Sequence, residues 1–349
     1  MGDTVLDSRS LNRALLARQL LLRRSGMTVV RAVERVGGLQ TQYAPSAYIG
    51  LWSRLDSFTR PQLTRALEQR RLIQGTLMRV TIHIVSKADY PLLTEAVRRS
   101  RREWWLRVAR PRGLDEMGYR EVAVILEKAL RRGPRRREEL IAILADRGFP
   151  KEIWEGAGLW IDMIRVPPSG TWERRRADLF GLAPAPGRRV TESEGLAHLA
   201  RRYLGGFGPA ALADISSWAG VPLTSLRPVV DELSLRRFRD TEGHELVDLP
   251  RQPLPGPDVP APVRFLPTWD ATLLVHARRS GILPEDHRPA VFNNKNPQSV
   301  PTFLVDGRVA GKWRHQGDRV RLEPFLPIPR RHRRDLDDEA ALLGAFLAG

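Results

Sequence analysis

A recurring order of helices and paired strands limits what this chain can build. Gly133-Pro134, five residues and then Leu140 match Gly208-Pro209, five residues and then Ile215, at an offset of 75 residues. Each pair opens a short amphipathic helix, with Leu140, Ile143 and Leu144 on one face of the first and Ile215, Trp218 and Ala219 on one face of the second. A second helical pattern follows each, over residues 153–164 and 223–233. Each copy closes on a strand–turn–strand pattern, around Ser169-Gly170 in residues 164–182 and around Glu242-Gly243 in residues 237–249.

The first hundred residues carry a variant of that order. Helical patterns cover residues 10–24, 28–37 (N-capped by Thr28) and 60–69, with a short apolar stretch at 48–51. Residues 72–85 read as two strands and 90–106 as a helix. Helices followed by a strand pair form the order of a winged helix, and the repeat predicts three in tandem: residues 1–111, 112–190 and 191–249. In residues 250–262 six of thirteen positions are proline, which marks a linker. Residues 263–349 then turn to β. Residues 302–305 and 308–312 flank Asp306-Gly307, which suits a type I′ hairpin turn, another turn follows at 316–318, and a helix over 337–347 ends the chain. The expected fold class is α+β, mainly helical: three tandem winged-helix modules plus a small C-terminal β-domain.

With 57 basic against 40 acidic residues, the net charge is +17 and the isoelectric point near 11.2. Such a field attracts polyanions, above all nucleic acid. Only five of the basic residues are lysine, so the arginine preference says little by itself about phosphate recognition. Cysteine is absent, which excludes disulfides, thiolate metal sites and a cysteine nucleophile. The seven histidines never fall at metal-binding helical spacing, and no H-E-x-x-H, G-x-S-x-G or G-x-G-x-x-G occurs. No metal and no cofactor are expected. Lacking a long apolar segment or a signal-peptide core, the chain reads as a cytoplasmic, nucleoid-associated monomer without a membrane partner.

The candidate site lies in Gly37-Gly38-Leu39-Gln40-Thr41-Gln42-Tyr43-Ala44-Pro45. The glycines stop a helix and Pro45 disfavours αR at the residue before it, so the stretch between is expected to be extended. Residues i and i+2 of an extended segment point the same way, so the amides of Gln40 and Gln42 face one spot. They can grip a water molecule or a nucleic-acid backbone, although a Gln-x-Gln taken alone equally suits a polar loop. Candidate DNA contacts are the turn-forming run Asn293, Asn294, Lys295, Asn296 and Gln298, then Lys312 and Arg314 on the hairpin's return strand. Arg174, Arg175 and Arg176 fall at the wing of the second module. Arg79 and His83 approach the glutamines if the first wing folds back.

These residues resemble the bacterial winged-helix DNA glycosylases of the AlkZ and YcaQ type. The likeness is carried by Leu11-Asn12-Arg13, Leu39-Gln40-Thr41-Gln42, Met78-Arg79-Val80-Thr81-Ile82-His83, the run from His276 to Ile282, and Thr302 to Gly307 through Gly311-Lys312-Trp313-Arg314. It implies three tandem winged helices with a small C-terminal β-domain, and a Gln–hydrophobic–Gln motif in the AlkZ branch where the YcaQ branch ends in Asp. By that likeness Gln40 and Gln42 are catalytic and belong to the AlkZ branch, while Thr41 departs from the hydrophobic middle position. It also implies a monofunctional glycosylase that excises N7-alkylguanines from double-stranded DNA and unhooks crosslinks, in repair or in self-resistance to DNA-alkylating natural products. A hairpin of the C-terminal domain enters DNA in that family, which offers the 293–298 run or the 306–307 turn here. The residues alone leave open a non-catalytic winged-helix regulator, or a protein that sequesters damaged DNA.

Overall fold

Leu15 and Leu16 lie on one buried face, and Asp7 accepts a hydrogen bond from the Ser10 N–H (2.7 Å), so the first pattern folds as a capped helix. In the computed structural model, residues 4–274, 280–293, 296–317 and 319–349 are described, the side chains of 293 and 296–298 excepted. There the helix is α1 (Ser8–Arg18), preceded by a short strand β1 (Thr4–Leu6). It ends six residues before the expected position. Leu20 turns left-handed (φ 58°), and the N–H groups of Leu21 and Leu22 both fold back onto the Leu16 carbonyl.

The first module continues with α2 (Val29–Arg35), β2 (Leu39–Gln40), α3 (Ala44–Arg54), α4 (Arg60–Glu68), β3 (Leu72–Thr76), β4 (Ile82–Ser86) and α5 (Asp89–Ala109). Helix α3 was expected only as a short apolar stretch. Pro45 sits in its first turn, where a missing N–H breaks no helical bond, and the extended residue is Tyr43 (φ −123°, ψ 116°) rather than Ala44. The second module holds α6 (Glu116–Leu130), β5 (Arg135–Arg136), α7 (Arg137–Ala145), α8 (Trp154–Ala157), β6 (Met163–Arg165) and β7 (Leu179–Leu182). Its second helix is far shorter than the 153–164 pattern, because Met163–Arg165 is drawn into a sheet. The third module holds α9 (Glu192–Phe207), α10 (Leu212–Ala219), α11 (Leu223–Asp231), β8 (Arg236–Asp240) and β9 (Glu245–Asp248). The C-terminal region contains β10 (Arg264–Leu266), α12 (Ala271–Leu274), α13 (Arg288–Val291), β11 (Phe292–Asn293), β12 (Asn296–Ser299), β13 (Thr302–Val305), β14 (Arg308–Gln316), β15 (Arg319–Pro324) and α14 (Arg330–Ala348).

The modules are not beads on a string. Strand β3 pairs antiparallel with β6 (Gln74 opposite Arg165, Gly75 opposite Ile164), which fuses two wings into one sheet ordered β2-β4-β3-β6-β7-β5. Strand β1 runs parallel to β8 and completes the sheet of the third module. Buried arginines reinforce these joins. Arg18 grips both carboxylate oxygens of Asp248 (2.6 and 2.7 Å), and both side chains are fully buried. Arg54 does the same to Asp270 of the C-terminal region (2.9 Å to each oxygen). Arg13 bonds Asp306, and Asn12 donates to the Gly307 carbonyl (2.8 Å).

The proline-rich segment has no helix or strand, as expected, but it is strapped to α1. Arg9 donates to Pro257 O (2.7 Å), Arg13 to Val259 O (2.6 Å) and Arg18 to Pro253 O (3.2 Å). No helix among the described residues is long and apolar enough to cross a membrane.

Removing one partner of a buried ion pair leaves an uncompensated charge and typically costs about 3–5 kcal/mol. Asp248→Ala is therefore expected to lower unfolding stability by that order in urea titrations. Arg18→Met combined with Asp248→Leu should recover much of the loss; a single variant as stable as the parent contradicts this role.

Candidate active site

The glutamine loop is held against the first wing. Leu39 lies opposite Ile84 and Gln40 opposite His83, and the Thr41 N–H donates to the Ile82 carbonyl (2.8 Å). The ladder then passes to a side chain, because the Ile82 N–H donates to Gln42 Oε1 (2.7 Å). Gln42 is exposed, whereas Gln40 is buried at 6% exposure. Gln40 Oε1 accepts from Arg79 Nη2 (2.8 Å), and the other terminal nitrogen of Arg79 donates to the Trp218 carbonyl at the end of α10. A tight turn between β3 and β4, with Arg79 (φ 52°) and Val80 (φ 58°) both left-handed, accompanies this placement.

Gln40 lines a crevice of about 10 Å³ together with Gly38, Ser46, Gly50, Trp269 and Asp270, enough for one water. Asp270 offers no free base there. Arg54 takes both its oxygens, and Thr272 donates to Oδ1 (2.6 Å). Burial pushes the Asp270 carboxyl up, but the Arg54 charge and these hydrogen bonds outweigh it and hold the group below its ordinary range. Trp269 is left-handed (φ 64°), and its N–H donates to Ser299 Oγ (2.8 Å) at the end of β12. The base of the β11–β12 hairpin is thus tied to the crevice wall.

The expectation that Arg79 and His83 lie beside the glutamines holds, but their expected role as DNA contacts does not. Arg79 is turned inward onto Gln40 and Trp218. His83 is only 3% exposed, and its Nδ1–H donates to the Thr81 carbonyl (3.1 Å). Burial and then the nearby Arg79 charge lower its pKa to about 3, against a small opposing effect of the Thr81 carbonyl. It is a neutral internal group.

The wing of the second module does reach the loop. Arg175 donates to the Tyr43 hydroxyl (3.0 Å), beside Gln42. Arg174 and Arg176 pair instead with Asp178 (3.7 and 3.4 Å), and Arg176 also with Glu138 (3.0 Å). Lys312 and Arg314 share Glu323 on the C-terminal sheet (3.2 and 3.3 Å), so their charge is partly matched there. Asn294 and Lys295, with the side chains of Asn293, Asn296 and Gln298, lie outside the described residues. The 306–307 turn has the expected left-handed pair (φ 46° and 78°). It is pinned to α1 by Arg9, Arg13 and Asn12, and so is not an element free to enter DNA. Trp269 and Ser46 were not foreseen. Nothing local marks either one, since the crevice they line closes only when α3 meets a segment more than 200 residues away.

The profile described as "DNA glycosylase AlkZ-like" matches residues 33–346. The chain belongs to the AlkZ-like DNA glycosylase family. An interstrand DNA cross-link repair glycosylase of Streptomyces sahachiroi is 24% identical over 357 residues, covering 93% of this chain and 92% of that protein. The solved structure of the Streptomyces sahachiroi DNA glycosylase AlkZ superposes with a TM-score of 0.84 at 20% identity, covering 98% of this chain and 97% of that one. That likeness carries the fold: tandem winged helices and a C-terminal β-domain. Family membership makes the protein a DNA glycosylase of the AlkZ branch and favours an enzyme over a passive regulator.

Two measurements bear on this site. His83 stays neutral when folded, but its unfolded form takes up a proton near pH 6.5. Its contribution to stability is therefore complete above that pH and is lost as pH falls toward about 3. Stability should decline by about 1.4 kcal/mol per pH unit through this window, and His83→Asn should remove that component of the slope. Thr41 is 2% exposed and its hydroxyl has no protein partner among the described residues. Thr41→Val keeps the shape and removes the buried polar atom, so the melting temperature should rise by an amount worth about 1 kcal/mol.

Proposed function

We propose that this glycosylase hydrolyses the N-glycosidic bond of cationic N7-alkylguanines in double-stranded DNA, with Gln40 and Gln42 holding the attacking water. The observation that carries this reading is an exposed Gln42 beside a buried Gln40 in a setting whose carboxylate, Asp270, is fully engaged by Arg54 and Thr272. Without a strong base or an acid, the site must rely on positioning. An N7-alkylguanine makes that sufficient. As water attacks C1′, the C1′–N9 bonding pair moves into the positively charged purine, which leaves neutral without enzymatic protonation. The water's proton is released to solvent through a hydrogen bond to an amide oxygen. General-base catalysis typically supplies about 10²–10⁴-fold, much of which an amide forgoes, so uracil and undamaged bases should resist.

A base tethered across the duplex cannot be extruded freely. The β11–β12 hairpin, tied through Ser299 to the crevice wall, is suited to press into a groove while water reaches the sugar. The relative named for interstrand crosslink repair supports extending this reading to unhooking. A role in resistance to DNA-alkylating natural products, action as a monomer and association with the nucleoid belong to the same proposal. Arg175, exposed beside Tyr43, is the wing residue best placed for a phosphate.

Duplexes carrying 7-methylguanine, uracil or an N7–N7 crosslink test this when abasic sites and strand separation are scored. The first and third should react and the second should not, and Gln42→Ala should lower excision at least 10²-fold, on the order of what a general base supplies. An inert parent protein, or equal release by Gln42→Ala, sinks the reading. The rate should also stay level between about pH 5 and 8, since amides do not titrate and His83 is neutral there.

A further inference from the structure

We propose that Arg79 is a positioning residue that fixes which end of the Gln40 amide faces the substrate, so that Gln40 acts as a hydrogen-bond donor. This rests on the reading of the glutamine pair as the reaction centre. A guanidinium carries only donors. With Arg79 Nη2 at 2.8 Å, the amide atom facing it must be Oε1, because a flipped amide would set N–H against N–H. Nε2 is thereby turned away from Arg79, and no described residue accepts from it.

Arg79 is itself held on three sides. Its second terminal nitrogen donates to the Trp218 carbonyl, one of the last carbonyls of α10, which lack partners within the helix. Gly220 (φ 69°) brings backbone so close that a Cβ there would stand 3.4 Å from Arg79 Cα and Cγ. Two successive non-glycine residues in the left-handed region, Arg79 and Val80, persist only where the surroundings hold them. The third module thus orients a side chain of the first. Beyond Arg79 the contact faces a cavity of about 500 Å³ between α5 and α10, so the side chain is a partition rather than buried filler.

The two amides consequently take different roles. Gln40 offers N–H groups to the oxygen of the attacking water. Gln42 has its oxygen on the Ile82 N–H (2.7 Å), but a carbonyl oxygen has a second lone pair and can accept the water's proton.

Single-turnover excision of 7-methylguanine by the full chain separates the possibilities. Gln40→Glu keeps an oxygen on Arg79 but removes the donor. Its rate should fall about 10²-fold, the usual effect of deleting one preorganised donor, with DNA affinity within about 3-fold and no loss of melting temperature. Arg79→Ala should show a similar fall in kcat with little change in KM, partly restored by millimolar guanidinium chloride, which should do nothing for Gln40→Glu. A Gln40→Glu enzyme at or above the parental rate overturns the proposal, since a better acceptor would then help. A folded Arg79→Ala protein at the parental rate also overturns it. If Arg79→Ala does not fold, Gln40→Glu decides. Parental rates in both Gln40→Ala and Gln42→Ala would instead remove the function reading itself, whatever Arg79 does.

Discussion

The architecture depends on guanidinium groups that never see solvent. Arg18 on α1 and Arg54 on α3 are buried, and each meets a carboxylate more than 200 residues away in sequence. Two parallel N–H···O bonds fix distance and plane together, which no apolar contact does. Burying such a pair is a weak source of net stability, because desolvation offsets most of the attraction. What it supplies is register: α1 can sit against the third module, and α3 against the C-terminal region, in one arrangement only. That register is what closes the crevice beside Gln40, since Arg54 and Asp270 both line it.

The large positive charge therefore has two physical origins. Part of it is internal and serves assembly, as with Arg13, Arg18, Arg54 and Arg264. Part of it is exposed and available to a polyanion, as with Arg175 on the second wing. Composition cannot separate the two. The same applies to Arg79, which looks like a phosphate contact in the sequence and is an internal brace in the fold.

Elements set by short-range patterns were legible. The Thr28 cap, the Gly37-Gly38 stop, the Asp306-Gly307 turn and the closing helix all appear where local chemistry puts them. The paired glutamines and their nearness to His83 were also legible, because a wing strand folding back is a local event. Three features were not. Helix α3 was hidden by reading Pro45 as a breaker, when a first-turn proline is tolerated. The loss of the 153–164 helix comes from β6 pairing with β3, nearly 90 residues upstream, where tertiary pairing overrides propensity. The geometry of Trp269 follows from a bond to Ser299 that no spacing rule encodes.

The short strand β1 lies beside β8, and α1 is clamped by Asp248 and Asp306. A nascent chain emerges with that helix first and those carboxylates last. Until about three hundred residues have left the ribosome, the first module carries unpaired arginines and an unfinished interface, so final assembly is post-translational. Circular permutation that joined the natural termini and opened the chain elsewhere would change this order of birth without altering a single contact.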